Sequence, residues 1–364
     1  MSLKRSSAGG RLPAMPPAAR SRRPDRQRRH GRAPAWSRYR GNAPRHLIAI
    51  ARDLQSRALR ELHEHGFEGV RPGFTPLLTR LWHESRPLTS LAGELAISAQ
   101  ACSQLVGHVE AAGYLERRPN PDDGRSRVAR LTPRGRALIE ESVQILLACD
   151  REYAAHVGAS AYQRFTAALA ALYRGLGLPV HADSTLIARA GRSAGVLPVI
   201  ANRIEQQLME TAIARGHVGL KLSHGAVLQH IGPEGARIHE IARIHRVSRQ
   251  ATHATARELE ALGYLRRRPD ARDRRGGALT LTQRGAVLIA DSVAAIDALE
   301  GSFRAILGER RFAHVERVAS KLYHALALGA SAPAAGAALD IEQLAARLRG
   351  QLGAADAARL AALL

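Results

Sequence analysis

Aromatic side chains make up only 4% of the 364 residues, and the chain holds just two cysteines, Cys102 and Cys149. Two thiols are too few for a disulfide framework, and they lack the spacing of a zinc site. Scarce aromatics beside abundant Ala, Leu and Arg argue against a sheet-rich fold and for helices packed through small and branched aliphatic residues. No apolar run approaches the roughly 20 residues that span a bilayer, so no membrane partner is expected. The arginine pair ahead of Pro24 is followed by more arginines, not by the apolar segment of an export signal, which places the chain in the cytoplasm. Catalytic motifs are missing too: there is no Gly-rich phosphate loop with a following Lys and Ser or Thr, no G-x-S-x-G and no H-E-x-x-H. Neither an enzyme activity nor a cofactor is expected.

What the chain has in excess is positive charge and repetition. The formal net charge is +22, unevenly spread: residues 1–45 carry 13 basic and 1 acidic side chains, 46–180 carry 16 and 14, and 181–330 carry 22 and 14. An excess of this size attracts polyanions, nucleic acid among them. When the sequence is slid against itself by 150 positions, residues 110–143 align without a gap on 260–293, with 18 of 34 pairs identical. Those pairs include Tyr114/Tyr264, Pro119/Pro269, Asp123/Asp273 and Arg125/Arg275. At the same shift Gly66 meets Gly216, Ser98 meets Ser248, and Tyr173 meets Tyr323. A repeat this long is one domain, so the chain divides into two tandem domains, 45–178 and 196–328. Around them lie a basic, Pro- and Gly-rich arm at 1–44, expected to be disordered, and a linker at 179–195. The remainder, 329–364, reads as a second linker with amphipathic helices that align Ile341, Leu344, Leu348 and Leu352 on one face.

Within each copy the apolar spacing changes period in a fixed order. In the first, Leu47, Ile50, Leu54, Ala58 and Leu62 recur at helical spacing up to Gly66, a C-cap. Thr75 with Pro76 is expected to cap and start a short helix. The stretch SLAGELA, a turn at Ile97 and Ser98, and a helix from Ala99 to about Ala112 form a helix-turn-helix. After Gly113 the residues read strand, Pro/Asp/Gly turn, strand. Thr132 with Pro133 then opens a long helix through Leu138, Val143, Leu146 and Leu147. A hairpin appended to a helix-turn-helix is a winged helix. The expected fold class is mainly α with small β-hairpin wings: two tandem winged helix-turn-helix domains with long outer helices.

This order of elements, with GYLERRPNPDDGRSRVARLTPRGRALI at its centre, resembles the MarR (multiple antibiotic resistance regulator) family of bacterial winged-helix regulators. The most telling piece is the Asp-x-Arg of the wing, Asp123 with Arg125 and again Asp273 with Arg275. The resemblance covers about 128 residues, twice. It implies outer helices of the dimerisation type, two winged helices on one face of double-stranded DNA, and release by a small-molecule effector. Two copies in one chain depart from a homodimer of single domains. Two arrangements are open: an intramolecular pseudo-dimer that supplies both winged helices, and a homodimer of such chains with four.

In a helix-turn-helix the N-terminal part of the second helix enters the major groove. With Cys102, Leu105, Val109 and Ala112 facing the core, the candidate DNA contacts of the first copy are Ser98, Gln100, Ser103 and Gln104, because Gln can pair bidentately with adenine. The second copy offers Ser248, Arg249, Gln250 and His253, above Thr252, Thr255, Leu259 and Leu262. In the wings, Asp123 and Asp273 take the structural role of holding a guanidinium by a charge-assisted hydrogen bond. Arg125, Arg127, Arg272, Arg274 and Arg275 are the wing cations offered to DNA, whose narrow minor groove attracts arginine. The plainer readings are a solvated helix face and a solvated charged hairpin. A redox role for Cys102 conflicts with its core-facing position, and histidines such as His63, His217 and His230 form no ligand motif, so no metal is expected. The sequence therefore reads as a nucleoid-associated, sequence-specific DNA-binding regulator, a repressor on an imperfect palindrome. A sequence-independent architectural DNA binder is the alternative.

Overall fold

A computed structural model describes residues 32–95, 97–121, 123–178, 195–232, 235–245, 249–270 and 273–328. The first half runs α1 (Arg32–Arg40), α2 (Ala43–Glu64), a 3-10 turn (Pro72–Phe74), α3 (Thr75–Arg80), β1 (Arg86–Pro87), α4 (Leu88–Glu94) and α5 (Ala99–Ala111). It continues with β2 (Leu115–Asn120), β3 (Asp123–Leu131), α6 (Pro133–Val157) and α7 (Ala159–Gly175). The second half runs α8 (Leu197–Ala214), α9 (Leu222–Leu228), β4 (Ala236–Arg237), α10 (Ile238–His245) and α11 (Arg249–Ala261). β5 (Leu265–Asp270), β6 (Asp273–Leu281), α12 (Gln283–Leu307) and α13 (Glu309–Ala325) complete it. From α5 onward every element of the first half returns 150 positions later with the same bounds.

The repeated motif residues make the junctions that hold each winged helix together. Ser98 caps α5, its Oγ accepting the Ala101 N–H at 3.1 Å. Gly113 and Gly263 turn the chain from helix into wing at φ +81° and +78°, where a side chain would be strained. Thr132 Oγ1 accepts the Gly135 N–H at 3.0 Å and donates to Gly113 O at 2.7 Å. Thr282 repeats both bonds at 3.0 and 2.6 Å. A Cβ on Gly135 or Gly285 would stand 1.9 or 2.2 Å from the carbonyl oxygen of Tyr114 or Tyr264, so only glycine lets the long helix approach the wing. These contacts explain why Gly-Tyr-Leu and Leu-Thr-x-x-Gly recur.

Several details differ from the sequence reading. The wing is a three-stranded sheet, ordered β1-β3-β2, because Arg86 and Pro87 pair antiparallel with Ala129 and Val128. A two-residue strand has no period to detect. Thr75 is not the N-cap of α3 but its first residue, and it closes the 3-10 turn on which α3 directly follows. In α5 the buried set is Cys102, Val106 and Val109, with Leu105 only half-buried. In α11 Ala256 takes the place expected of Thr255, whose hydroxyl donates to Ala251 O at 3.1 Å. The arm expected to be disordered through residue 44 is helical from Arg32. Its arginine-rich composition masks Trp36 and Tyr39, which pack with Ile289 and Ile296 of α12. The amphipathic helices expected in 329–364, and the linker 179–195 apart from Gly195, lie outside the described residues.

The two halves share one core. α2 lies along α8, α7 packs on α12 and α13, and α6 packs on α13, contacts that are reciprocal across the middle, while α1 on α12 and α2 on α13 add contacts on one side only. Reciprocity of this kind marks a two-fold interface. Buried apolar residues run continuously from Leu47 and Ile50 of α2 through Phe165 and Leu169 of α7 to Ile200, Phe303, Phe312 and Leu322. A Cβ on Gly175 would stand 2.3 Å from Ile306 Cγ2, a measure of how closely α7 and α12 approach. Polar groups cross the same boundary. Glu300 of α12 is 1% exposed, and its carboxylate accepts from Arg38 at 2.5 and 3.3 Å, from the Ala43 N–H at 3.2 Å and from Arg304 at 3.3 Å. Arg38 also reaches Asp297 at 2.7 Å, Arg52 pairs with Glu205, and His46 stacks on Tyr323 at 4.4 Å between ring centroids.

Two outcomes follow from this packing. Glu300→Ala strips the α2 N-terminus and Arg38 of their buried acceptor, and urea unfolding should show a loss of about 3 kcal/mol. The second outcome concerns acid. Burial and the neighbouring His324 push the His46 imidazole down to about 4 from 6.5, against the opposing attraction of Glu300. The unfolded chain therefore takes up this proton first, so stability is full above about pH 6.5 and falls as pH drops towards 4, by at most about 1.4 kcal/mol per unit. Urea titrations at pH 7.5 and 4.5 should show this loss in the wild type, and His46→Phe should shrink it by about 2 to 3 kcal/mol.

Candidate nucleic-acid interface

α5 and α11 each present a polar face beside a charged wing. Ser98, Gln100, Ser103 and Gln104 are exposed at the start of α5, and Arg127 is exposed on β3. Arg249 and Gln250 are exposed at the start of α11, with His253 half-buried. Beneath these faces Cys102, Val106 and Val109, and on α11 Thr252, Ala256 and Leu259, are buried, which fixes the orientation of both helices. Asp123 and Arg125 start β3, and Asp273, Arg274 and Arg275 start β6, but their side chains are outside the described residues, as are Ser248 and Arg272. The expected Asp-x-Arg pair therefore has no geometry here.

A different pair ties each wing to its helix. Glu110, near the end of α5, accepts from the backbone N–H of Arg117 at 3.0 Å and from its Nε at 2.7 Å. The Arg117 hydrogen bond, together with the charge of Arg127, holds the Glu110 carboxyl below the usual range. Glu260 and Arg267 repeat the arrangement, with Nε 3.0 and 3.2 Å from the two carboxylate oxygens. Both pairs are identical across the repeat, which was the signal in the sequence; a glutamate seven residues before an arginine has no local motif value. On the outer wing strand the halves diverge. Arg118 is held by Glu116 at 2.9 and 3.0 Å, whereas the same positions in the second half are Arg266 and Arg268, both exposed. The outer strand of the second wing thus shows more unneutralised cation, while on β3 the first wing keeps exposed Arg127 and Arg130 where the second has Gly277 and Thr280.

Comparison with known proteins agrees with this geometry. The MarR family model matches residues 89–126 and again 218–276, taking in the turn and second helix of each helix-turn-helix and part of its wing. Each half of the chain thus carries its own match to the MarR family. A transcriptional regulator of Thermotoga maritima, solved as a crystal structure, aligns at 23% identity over 30% of this chain and 75% of that one, with a TM-score of 0.26. No curated protein matches the chain.

A cleft of about 1200 Å³ opens under the second winged helix. Its walls come from α1 and α2 of the first half and from α8, α9, α10, α12 and the end of α13 of the second. Ile48, Leu208, Leu228, Leu288 and Ile296 give it an apolar floor, and Arg45, Arg52, Lys221 and Arg243 bring cations. Arg45 lies over the Tyr39 ring at 3.9 Å, and its buried Nε has no hydrogen-bond partner. The two thiols lie elsewhere. Cys102 and Cys149 are buried, and burial raises both thiols, Cys149 to about 11, which disfavours the reactive thiolate. Several histidines serve as hydrogen-bond partners of carboxylates: His217 with Asp291 at 3.0 Å, His224 with Glu258 at 2.9 Å and His65 with Glu141 at 2.7 Å. Among the described residues no cluster of His, Cys, Asp or Glu is placed to hold a metal ion, and no helix is long and apolar enough to cross a membrane.

The wing clamp has its own test. Glu260→Ala should raise amide hydrogen exchange over residues 265–281 while costing less than about 1 kcal/mol of global stability, since the pair is partly exposed. Unchanged exchange in those strands would show that the wing is held by its sheet alone.

Proposed function

We propose that this chain is a sequence-specific DNA-binding transcriptional regulator, acting as a repressor, whose two winged helices read the two halves of one imperfect palindrome. The observation that carries this reading is the repeat made structural: two exposed polar recognition helices, each clamped to its own wing, sit on one helical body that both halves build. The reciprocal packing supports an intramolecular pseudo-dimer in which a single chain does the work of two subunits. The cleft beneath the second winged helix is the site for a small-molecule effector that alters DNA binding.

On this reading the halves contribute unequally. Ala99 and Gln100 at the start of α5 correspond to Arg249 and Gln250 at the start of α11, so the second helix brings a cation where the first brings a methyl group. Ser98, Gln100, Ser103 and Gln104 then set sequence preference in one half-site. Arg249, Gln250 and His253, with the wing arginines Arg266 and Arg268, supply most of the affinity in the other. The charge excess also supports a second reading, a sequence-independent architectural binder; footprinting separates the two, because only a regulator protects a discrete operator.

Selection of bound fragments from random duplex DNA with the purified full chain should return one motif, an imperfect palindrome. With about 6 phosphates contacted, log K should fall against log salt with a slope near −5. Arg249→Ala should cost about 1 to 3 kcal/mol and relax preference at one base pair of one half-site, with Gln100→Ala costing less in the other. Light scattering should find one chain per operator duplex. A perfect palindrome with both substitutions equally harmful, or two chains per duplex, would be the contrary result.

A further inference from the structure

The two winged helices are not joined to the helical body in the same way. In the first half Leu77, Leu91, Val106 and Tyr114 belong to the continuous buried cluster of the body helices, whereas Val227, Ile241, Ala256 and Tyr264 of the second half form a cluster of their own. Helix α1 bridges the two. Tyr39 is buried with Ile289 and Ile296 of α12, and Trp36 packs on the same group. Leu281, at the end of the wing strand β6, packs on both this group and the second winged-helix cluster, and Leu208 of α8 packs on both this group and the body cluster. In the first winged helix the loop ahead of the short strand carries its own ring, Trp82, with the Arg136 guanidinium over it at 5.6 Å. The matching position in the second is Gly232, where a Cβ would lie 3.6 Å from the Trp36 indole nitrogen. The tryptophan beside the second loop is thus supplied by α1.

These contacts also fix the direction of the chain. The Ala43 N–H meets Glu300, Arg38 meets Glu300 and Asp297, and Trp36 meets Gly232, so tracing backwards from α2 leads from the body towards the second winged helix. α12 begins where the wing ends, and Ile289 and Val293 of the same group lie in its wing-side half. Residues 1–31 are therefore attached at the winged-helix end of α1. They hold nine basic and one acidic side chains and no aromatic ring. The positions 150 residues on, 151–181, run through α6 and α7, so the repeat supplies the first winged helix with no such arm. Arginines in this number suit phosphate oxygens and a narrow minor groove. Duplex DNA is favoured over a lipid surface, because the arm is attached on the side of a recognition helix and its densest part, 20–31, carries no large apolar side chain to enter a bilayer.

We propose that residues 1–31 bind the phosphate backbone of the operator beside the half-site read by α11 and only there, so that one duplex is held at three places, by two winged helices and one arm. The inference rests on the DNA-binding role given to the chain above. Arg38, the cation inside α1, is occupied by Asp297 and Glu300 and serves as an anchor for the arm, not as a contact to DNA. A fixed attachment point keeps the arm at high effective concentration near one half-site. Six of its nine cations fall between Arg20 and Arg29, within 12 residues of α1. A chain of that length has a root-mean-square reach of about 20 Å. Half-sites one helical turn apart are separated by roughly 34 Å, so the other half-site lies beyond it.

The test compares the full chain with two variants that keep α1 intact: one lacks residues 2–31, and in the other Arg20, Arg22, Arg23, Arg26, Arg28 and Arg29 are all replaced by glutamine. With about 2 phosphate contacts removed, the slope of log K against log salt should become shallower by about 2 in each variant. Replacing the same six arginines by lysine keeps the charge and should keep the slope. Hydroxyl-radical footprinting on the selected operator should show backbone protection by the full chain that both variants lose, confined to the side of the half-site that Arg249→Ala relaxes. An unchanged slope, a loss of protection shared by both half-sites or falling beside the one read by α5, or arm-dependent binding to phosphatidylglycerol vesicles with none to duplex would each overturn the proposal. If no operator is selected while the full chain binds random duplex with a slope that truncation lowers, the arm contact stands and the sequence-specific reading is the one that fails.

Discussion

The outer helices of the two halves bury apolar faces against each other, and that mutual burial across the middle is the constraint from which the rest follows. Ile50 and Leu54 of α2, Leu169 and Leu172 of α7 and Phe312 and Leu322 of α13 are all buried in one cluster drawn from both halves. Burial of such side chains is worth about 1.5 to 3 kcal/mol each, and separated halves would forfeit much of it. Apolar packing alone leaves register loose. Glu300 removes that freedom: a carboxylate that is 1% exposed must keep its donors, and those come from α1, the start of α2 and α12 itself. Asp150, its counterpart in the first half, takes the Tyr162 hydroxyl instead. The acid at this position is half-buried in the first half, where it takes a donor of its own half, and buried in the second, where it takes donors across the boundary.

With both halves in one chain, neither is obliged to copy the other. Positions that have stayed identical are those with a geometric demand: Gly113 and Gly263 at positive φ, Gly135 and Gly285 against a carbonyl, Thr132 and Thr282 as caps, and the Glu110–Arg117 and Glu260–Arg267 clamps. Others have changed, among them Ala99 against Arg249 on the exposed helix face, Glu116 against Arg266 on the wing, and Leu62 against Ala212 and Phe74 against His224, whose second-half members line the cleft. A homodimer repeats every surface residue twice by symmetry. Covalent linkage lifts that requirement, and the two halves are free to present different side chains at matching positions.

What was legible in the sequence was whatever has a local physical signature. The winged helix followed from periodicity and capping residues, since Ser98, Thr132 and Pro133 act within one turn of themselves. Recognition-helix orientation followed from the alternation of Cys102 and Val109 with Gln100, Ser103 and Gln104, because a helix has only one face to bury. The short strands Arg86–Pro87 and Ala236–Arg237 did not, for they exist only by pairing with a strand more than 40 residues away. Helix α1 was hidden for a similar reason: its own composition is that of a solvated arm, and it is helical where Trp36 and Tyr39 meet α12.

Sequence by itself therefore determined the repeat, the two winged helices, the exposed residues of each recognition helix and the excess of positive charge on the second half. Each is a property of neighbouring residues or of their count. Tertiary structure decided how the halves meet, that Glu300 joins them, that the wing is anchored by Glu110 and Glu260, and that the second winged helix borders a basic cleft while the first is fused to the core. Those depend on which side chains arrive at one place from distant parts of the chain, and exchanging Leu62 for Ala212 or Phe74 for His224 leaves the local periodicity almost untouched while opening the cleft.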